Sequence, residues 1–366
     1  MYVAARGGEE AIQRSEALYH ALKGPITPQL IQGIMESLPY LVDRVMGEAS
    51  LYAPELAALA IAQSGGDLYE AVLLLRAYRS TQPRLGYAHP LTTERLFTVR
   101  RISASFKDIP GGQILGPSLD YSHRILNLNL LGDQQPAVSE EAPLPERPAS
   151  PHYPLVADWQ RQQGMLAPTP THEASAPQDI PDVTRDNVLF PAPRAHRLQA
   201  LARADTGGVL ALGYASMRGY GLIHPTVNEL RLAYAEVRMT HPLTGEDFSV
   251  GRVRVSQAEV VSNGGQHAPL LTLGYAATLG WNEVKLIAAA TLDMEMSQPN
   301  PHPAHTEEFV MYHTEAIESS GFCIHFKLPH YVTFASSLDN LRKVISTFYS
   351  ADSQPATAPA PQETAP

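Results

Sequence analysis

The sequence predicts an α+β fold, a helical N-terminal part followed by a mostly antiparallel sheet with flanking helices, on three observations. Apolar residues recur at helical spacing through the early part of the chain. After a proline-rich interval, short apolar or alternating runs bounded by turn residues take over. The two kinds of segment are segregated along the chain, which is the α+β order.

The elements follow in order. Tyr2 to Ala5 reads as a short strand, broken by Gly7-Gly8 before a helix marked by Ala11, Ile12, Leu18, Tyr19 and Leu22. Leu30, Ile34, Leu38, Leu41 and Val45 continue at helical spacing, with Pro39 as a kink or boundary. Glu55 to Ser64 and Leu68 to Ser80 suit a helical hairpin turned by Gly65-Gly66. From Asp133 to Ala195 proline crowds among Glu, Ser, Gln and Ala, a composition that makes no core of its own. We read it as a linker or surface excursion in which Tyr153 to Gln163 docks a short helix. Gly208 to Tyr214, Leu232 to Met239, Gly251 to Val261 and Leu270 to Tyr275 then read as strands. Asn282 to Met296 and the run carrying Leu338, Leu341, Ile345 and Phe348 read as helices, and Ser350 to Pro366 as a flexible end. The expected organisation is residues 1–132 mainly helical, 133–195 linker, 196–349 strand-rich and 350–366 tail.

At 366 residues and 44% hydrophobic content the chain has enough apolar surface for a sizeable core. A net charge of −10 argues against general binding to nucleic acid or anionic membranes, so any phosphate site is expected to be a local pocket. The single cysteine, Cys323, excludes an internal disulfide and a self-contained iron–sulfur or cysteine-rich zinc site. It is expected to be buried filler. The N-terminus lacks the apolar core of a signal peptide, and no run reaches the roughly 18 apolar residues of a membrane span. A soluble, cytoplasmic protein is expected.

Three stretches gather groups that carry chemistry. From Arg100 to Arg124 the chain reads RRISASFKDIPGGQILGPSLDYSHR, concentrating Arg100, Arg101, Lys107 and Arg124 with Gly111, Gly112, Gly116 and Gln113 in a sequence only 17% charged. Guanidinium forks and consecutive backbone amides suit phosphate oxygens. The same residues equally suit tight turns with the charges paired internally, Lys107 with Asp108 and Arg124 with Asp120. No Walker or dinucleotide fingerprint occurs. In the second stretch, Gly321 to Phe334, His325 and His330 stand five residues apart. On a straight strand or helix that offset separates them. A turn at Leu328-Pro329, with His325 at a strand end, would let both reach one metal, and two ordinary histidines beside a sheet is the other reading. The third stretch, Arg218 to Arg231, offers Tyr220 as a stacking platform and His224 and Glu229 as acid and base groups, or else a strand-to-helix connection with Pro225 near the helix start. The residue types of His302, His305, Glu307, Glu308 and His313 suit a metal, but the flanking prolines favour a solvated loop.

Five blocks in this order carry a resemblance: YVAARGGEEAI, ELAALAIAQSGGDLYEAVLLLRAYR from Glu55, RRISASFKDIPGGQILGPSLDYSHRIL from Arg100, RGYGLIHP from Arg218, and EEFVMYHTEAIESSGFCIHFKLPHYVTF from Glu307. The chain resembles the PhnI family, the I subunit of the carbon-phosphorus lyase core complex of bacterial phosphonate use. The resemblance spans most of the chain outside the linker and tail. It implies a subunit that forms a homodimer at the centre of an assembly with G, H and J subunits. Alone, such a subunit is expected to hydrolyse the glycosidic bond of ATP or GTP. With G and H, an alkylphosphonate displaces adenine from MgATP and gives a ribose phosphonate carrying a triphosphate. The family's paired histidines match His325 and His330, which would bind zinc at a contact with the J subunit.

That chemistry passes through an oxocarbenium-like state and needs negative charge near the ribose, a proton for adenine and cations for the triphosphate. From their clustering, Arg100, Arg101, Lys107 and Arg124 with Gly111, Gly112 and Gln113 are expected to bind the triphosphate with Mg²⁺. Tyr220 and His224 join the substrate site, Asp108 or Asp120 steadies the cation, and His123 protonates the base. The alternative is a non-catalytic scaffold that dimerises and holds G, H and J.

Overall fold

The computed structural model describes residues 8–132, 153–167, 180–215, 217–218, 225–263, 270–328 and 330–348. The strand expected at Tyr2 to Ala5, most of the proline-rich interval, Tyr220, His224 and the tail lie outside those residues. The chain divides into two compact units, Ile26–Glu318 and the paired ends Met1–Pro25 with Ser319–Pro366.

Helix α1 (Gly8–Lys23) belongs to the paired ends and buries no residue. In the larger unit, α2 (Pro28–Ser37), α3 (Pro39–Ala49) and α4 (Pro54–Gln63) each begin on proline, whose missing N–H costs nothing at that position. Pro39 is therefore a boundary and not a kink. α5 (Leu68–Ser80) is capped by the Asp67 carboxylate, which accepts from the Tyr69 and Glu70 amides. Gly66, at φ +90°, makes the expected turn before it. These helices close on Val42, Val45, Met46, Ala58, Ile61, Val72 and Leu75.

One antiparallel sheet runs in the order β1 (Leu96–Ile102), β2 (Thr226–Thr240), β3 (Asp247–Asn263) and β4 (Leu271–Leu279). β1 comes from the part of the sequence expected to be helical. Its arginines belong to a strand that pairs with β2, Arg101 opposite Arg231. The connection expected to enter a helix at Pro225 instead enters β2, because Thr226–Thr240 is held by ladders on both sides.

Between β1 and β2 the described residues form α6 (Val156–Gln162), α7 (Arg194–Arg203) and α8 (Thr206–Ala215). α6 meets the expectation of a docked helix. α8 corrects the strand expected from Gly208 to Tyr214. A short apolar run has no period that separates strand from buried helix, and here the Asp205 carboxylate accepts from the Gly208 amide at the helix start. α9 (Glu283–Met296) packs on one face of the sheet against Leu230, Ala258, Val260 and Ala276. Gly274 is required there, since a Cβ would stand 1.9 Å from the Ala290 carbonyl oxygen. The opposite face carries Arg101, Glu229, Arg231, Gln257, Glu259 and Tyr275, which the register sets side by side.

α10 (Glu307–His313) follows a 3₁₀ turn at Pro303–His305. That turn is no solvated loop: His305 is fully buried, 3.0 Å from the Leu212 carbonyl. α11 (Ala316–Phe326) and α12 (Tyr331–Phe348) stand where His325 was expected at a strand end. Aromatic and branched residues favour strands only weakly, and Phe322 and Phe326 meet one turn apart with ring centroids at 4.6 Å. Cys323 on α11 is exposed, against expectation. α12 carries an exposed apolar stripe of Phe334, Leu341, Ile345 and Phe348. Among the described residues no single helix is long and apolar enough to cross a membrane.

Candidate functional site

Arg101 organises the charge-dense segment from below. It is fully buried, and its Nε donates to the Glu229 carboxylate at 2.8 Å. Nη1 donates to the Pro110 and Gly112 carbonyls at 2.8 and 2.7 Å, and Nη2 to the Pro154 carbonyl at 2.8 Å. Gly112 thus turns a carbonyl inward to this arginine. Gly111 takes φ +83°, with room for no Cβ beyond 3.0 Å from Tyr153 Cδ1. Gln113 is spent in the same way: its oxygen accepts from the Ser103 amide and its nitrogen donates to the Phe106 and Lys107 carbonyls.

Arg100 points to the other face of the strand and is equally buried. It holds the Asp120 and Glu283 carboxylates and the Leu115 carbonyl. Arg124 reaches the second oxygen of Asp120 at 3.4 Å. Hydrogen bonding with Ser118, and the Arg100 charge against the cost of burial, hold the Asp120 carboxyl below its ordinary range. The expectation that Arg100 and Arg101 present guanidinium forks to a phosphate is therefore not met by the geometry. A buried arginine must be paired, and the nearest acceptors are the loop's own. Lys107, Asp108, His123 and Arg124 remain exposed. The structure joins Arg100, Asp120 and Arg124 into one cluster and Arg101, Gly112 and Glu229 into another. Among the described residues no hydrogen bond ties Asp108 or His123 to either.

Glu229, read from sequence as an acid or base group, sits at the centre of a buried network. It also accepts from Arg231 Nε at 3.0 Å and from the Val156 amide at 3.0 Å. Its cross-strand neighbour Glu259 accepts from Asn228 Nδ2 at 3.1 Å. Burial first, then the Glu229 charge, push the Glu259 carboxyl up to about 7. Arg231 and Glu259 were missed in the sequence. The available signal was the alternation Glu229, Arg231 and Gln257, Glu259, which puts charge on one face of paired strands.

Beyond this network the same sheet face floors a cavity of about 670 Å³. Arg231, Gln257 and Tyr275 lie on the floor, with Arg79 of α5, Arg84 and Tyr87 on one wall and Asp182 and Thr184 on another. Arg84 pairs with Asp182. Burial opposes ionisation of Asp182, but the Thr184 hydroxyl and Arg84 overcome it and hold the carboxyl at about 2.

In the unit of the chain ends, the bend between α11 and α12 brings His325 and His330 together, Nε2 to Nε2 at 3.2 Å. His330 Nδ1 lies 2.6 Å from the Leu328 carbonyl, so that nitrogen carries the proton and Nε2 keeps a lone pair. Two nitrogens bound to one tetrahedral zinc at about 2.0–2.1 Å would stand about 3.3 Å apart. The donor type and spacing fit such an ion. Among the described residues no group of three or more His, Cys, Asp or Glu is placed to hold a metal.

Comparison with known proteins covers the chain almost end to end. A family model described as "Bacterial phosphonate metabolism protein (PhnI)" matches residues 1–347. The chain is 44% identical over 382 aligned positions to a Stutzerimonas stutzeri protein named "Putative C-P lyase subunit protein HtxH", covering 98% of this chain and 99% of the relative. It is 40% identical over 356 positions to the alpha-D-ribose 1-methylphosphonate 5-triphosphate synthase subunit PhnI of Escherichia coli (strain K12), covering 94% and 98%. To the Rhizobium meliloti (strain 1021) protein of the same name it is 38% identical over 357 positions, covering 94% and 95%.

Proposed function

The chain belongs to the PhnI family, and from that premise we propose that it is the nucleosidase and glycosyl-transfer subunit of an alpha-D-ribose 1-methylphosphonate 5-triphosphate synthase. The observation that carries the reading is the match to two synthase subunits across 94% of the chain. In the proposed reaction a phosphonate oxygen attacks C1′ of MgATP on the face opposite adenine. The C1′–N9 bond breaks, its electron pair goes to adenine, and adenine takes a proton. Inversion in one displacement needs no covalent enzyme nucleophile. With water in place of phosphonate the chain alone releases adenine from ATP, or guanine from GTP.

Within the Arg100–Arg124 segment Asp108 and Asp120 are the carboxylates for the developing ribosyl cation, and Asp120 is kept ionised. His123, exposed, is the candidate proton donor to the base. Lys107 and Arg124 are the cations of the segment left exposed for phosphate oxygens, while Arg100, Arg101 and Gln113 brace the loop. Incubating the purified chain with MgATP is expected to yield free adenine, and His123→Ala to slow that release. No adenine from the wild-type chain would refute the nucleosidase reading.

His325 and His330 would hold zinc through their Nε2 atoms, the remaining ligands coming from a neighbouring subunit. Bound there, zinc supplies a Lewis acid or a clip between chains. The exposed apolar stripe of α12 supports assembly with a second copy and with G, H and J subunits, in the cytoplasm. One observation favours the scaffold reading instead: Arg100 and Arg101 spend their donors inside the fold. The adenine assay separates the two.

A further inference from the structure

The cavity over the polar face of the sheet has an excess of cations in its lining, and no role above uses it. Its charged lining is Arg79, Arg84, Arg231 and Asp182, three cations to one carboxylate in a chain of net charge −10. Arg84 and Asp182 neutralise each other. Arg231 is held by Glu229, which Arg101 also engages, so that trio carries a positive excess of its own. The Arg79 guanidinium makes neither a hydrogen bond nor an ion pair among the described residues. Its charge stands against burial and the nearby Arg84 and Arg185 charges, with Asp182 as the offsetting carboxylate. A half-buried guanidinium in that position has a carboxylate nearby but none in direct contact among the described residues.

A second, independent group points the same way. Gln257 lines the cavity floor, and its Nε2 is buried without a hydrogen-bond partner among the described residues. An orphaned buried donor is costly, and an acceptor entering the cavity would satisfy it. The volume, about 670 Å³, suits a nucleotide-sized ligand. Tyr87, with the Arg84 guanidinium stacked 4.8 Å above its ring, adds a flat apolar wall beside the cations. By contrast, Arg124 of the charge-dense segment is 68% exposed and already shared with Asp120, where solvent weakens its pull on a phosphate.

We infer that this cavity is the binding site for the polyphosphate of a nucleotide, with Arg79 as its principal grip, Arg84 beside it and Gln257 Nε2 donating from the floor. The inference rests on the nucleotide-using reaction proposed above and moves its phosphates from Lys107 and Arg124 to this cavity. Guanidinium N–H groups would donate to the phosphate oxygens, and partial burial would strengthen those bonds relative to surface contacts.

Titration calorimetry of the full-length chain with inorganic tripolyphosphate and with MgATP tests it. Wild type is expected to bind both, Arg79→Ala to weaken both by roughly tenfold or more, and Arg79→Lys to recover part of the loss. Gln257→Met, which preserves size, is expected to weaken both less than Arg79→Ala does. Unfolding midpoints are read in parallel, and Arg79→Lys and Gln257→Met carry the test if Arg79→Ala folds poorly. No tripolyphosphate binding by wild type, or equal binding by wild type and the variants, overturns the assignment. Arg79-dependent binding without adenine release supports the cavity and sinks the nucleosidase reading. Adenine release with Arg79-independent binding sinks the cavity alone.

Discussion

Replacing Arg101 with alanine withdraws four hydrogen bonds at once, one to Glu229 and three to the Pro110, Gly112 and Pro154 carbonyls. Glu229 keeps Arg231 and the Val156 amide, so no naked carboxylate is left inside. The carbonyls lose the charged donor they share, and a void the size of an arginine opens beneath the loop. Carbonyls left without that donor, at about 1–3 kcal/mol each, together with the void, put the loss at about 3–5 kcal/mol or more, a large share of the roughly 5–15 kcal/mol that holds a domain together. At roughly 2–4 °C per kcal/mol the Tm should fall by about 6–20 °C. Lys107→Ala, at an exposed side chain, is the control and should stay within about 0.5 kcal/mol of wild type. Urea unfolding followed by circular dichroism measures the difference, and tryptic cleavage after Lys107 should quicken in Arg101→Ala as the loop comes loose. If Arg101→Ala unfolds within about 1 kcal/mol of wild type, the bracing role is wrong.

Three further outcomes are expected. Glu259 titrates at about 7 in the folded chain against 4.5 for the free side chain. A raised carboxyl favours the fold below the unfolded value and loses that advantage as pH rises through 7, so stability should decline between pH 4.5 and 8 by about 3 kcal/mol at most. Glu259→Gln should flatten that decline in urea titrations across pH, and an unchanged slope would count against it. His325→Ala together with His330→Ala should strip zinc from the co-purified complex by elemental analysis, whereas undiminished zinc would remove the pair as ligands. Gly274→Ala sets a methyl 1.9 Å from the Ala290 carbonyl oxygen and 2.8 Å from Met294 Cβ. It should cost about 1–3 kcal/mol by calorimetry as α9 is forced off the sheet, and a neutral result would show that the helix yields freely.

The residue pattern alone carried the helical hairpin of α4 and α5, the strands β2 to β4 and helix α9, because each has a long period or a turn residue at its end. It also singled out His325 and His330, although on the wrong secondary structure. Gly208 to Tyr214 was misread as a strand, and His325 as a strand end, because short apolar runs fit either state and packing against other elements decides. β1 was missed because its partner lies more than a hundred residues later. The internal pairing of Arg124 with Asp120, raised from spacing, is what the structure contains, while the partner raised for Lys107 is not among its ion pairs.

Sequence by itself determined the family, the α+β class and the residues rich enough in charge to matter. Which of those charges face a ligand was decided only by the tertiary structure. An arginine's role depends on what lies within hydrogen-bond reach of its guanidinium. For Arg100 and Arg101 that reach is filled by Glu229, Asp120, Glu283 and loop carbonyls drawn from distant parts of the chain. For Arg79, on an unremarked helical turn, it is open to a cavity that exists only once α5, the sheet and the Ile180–Thr184 segment have come together. Local spacing fixes which way a side chain leaves its helix or strand, and only the folded whole fixes what it meets.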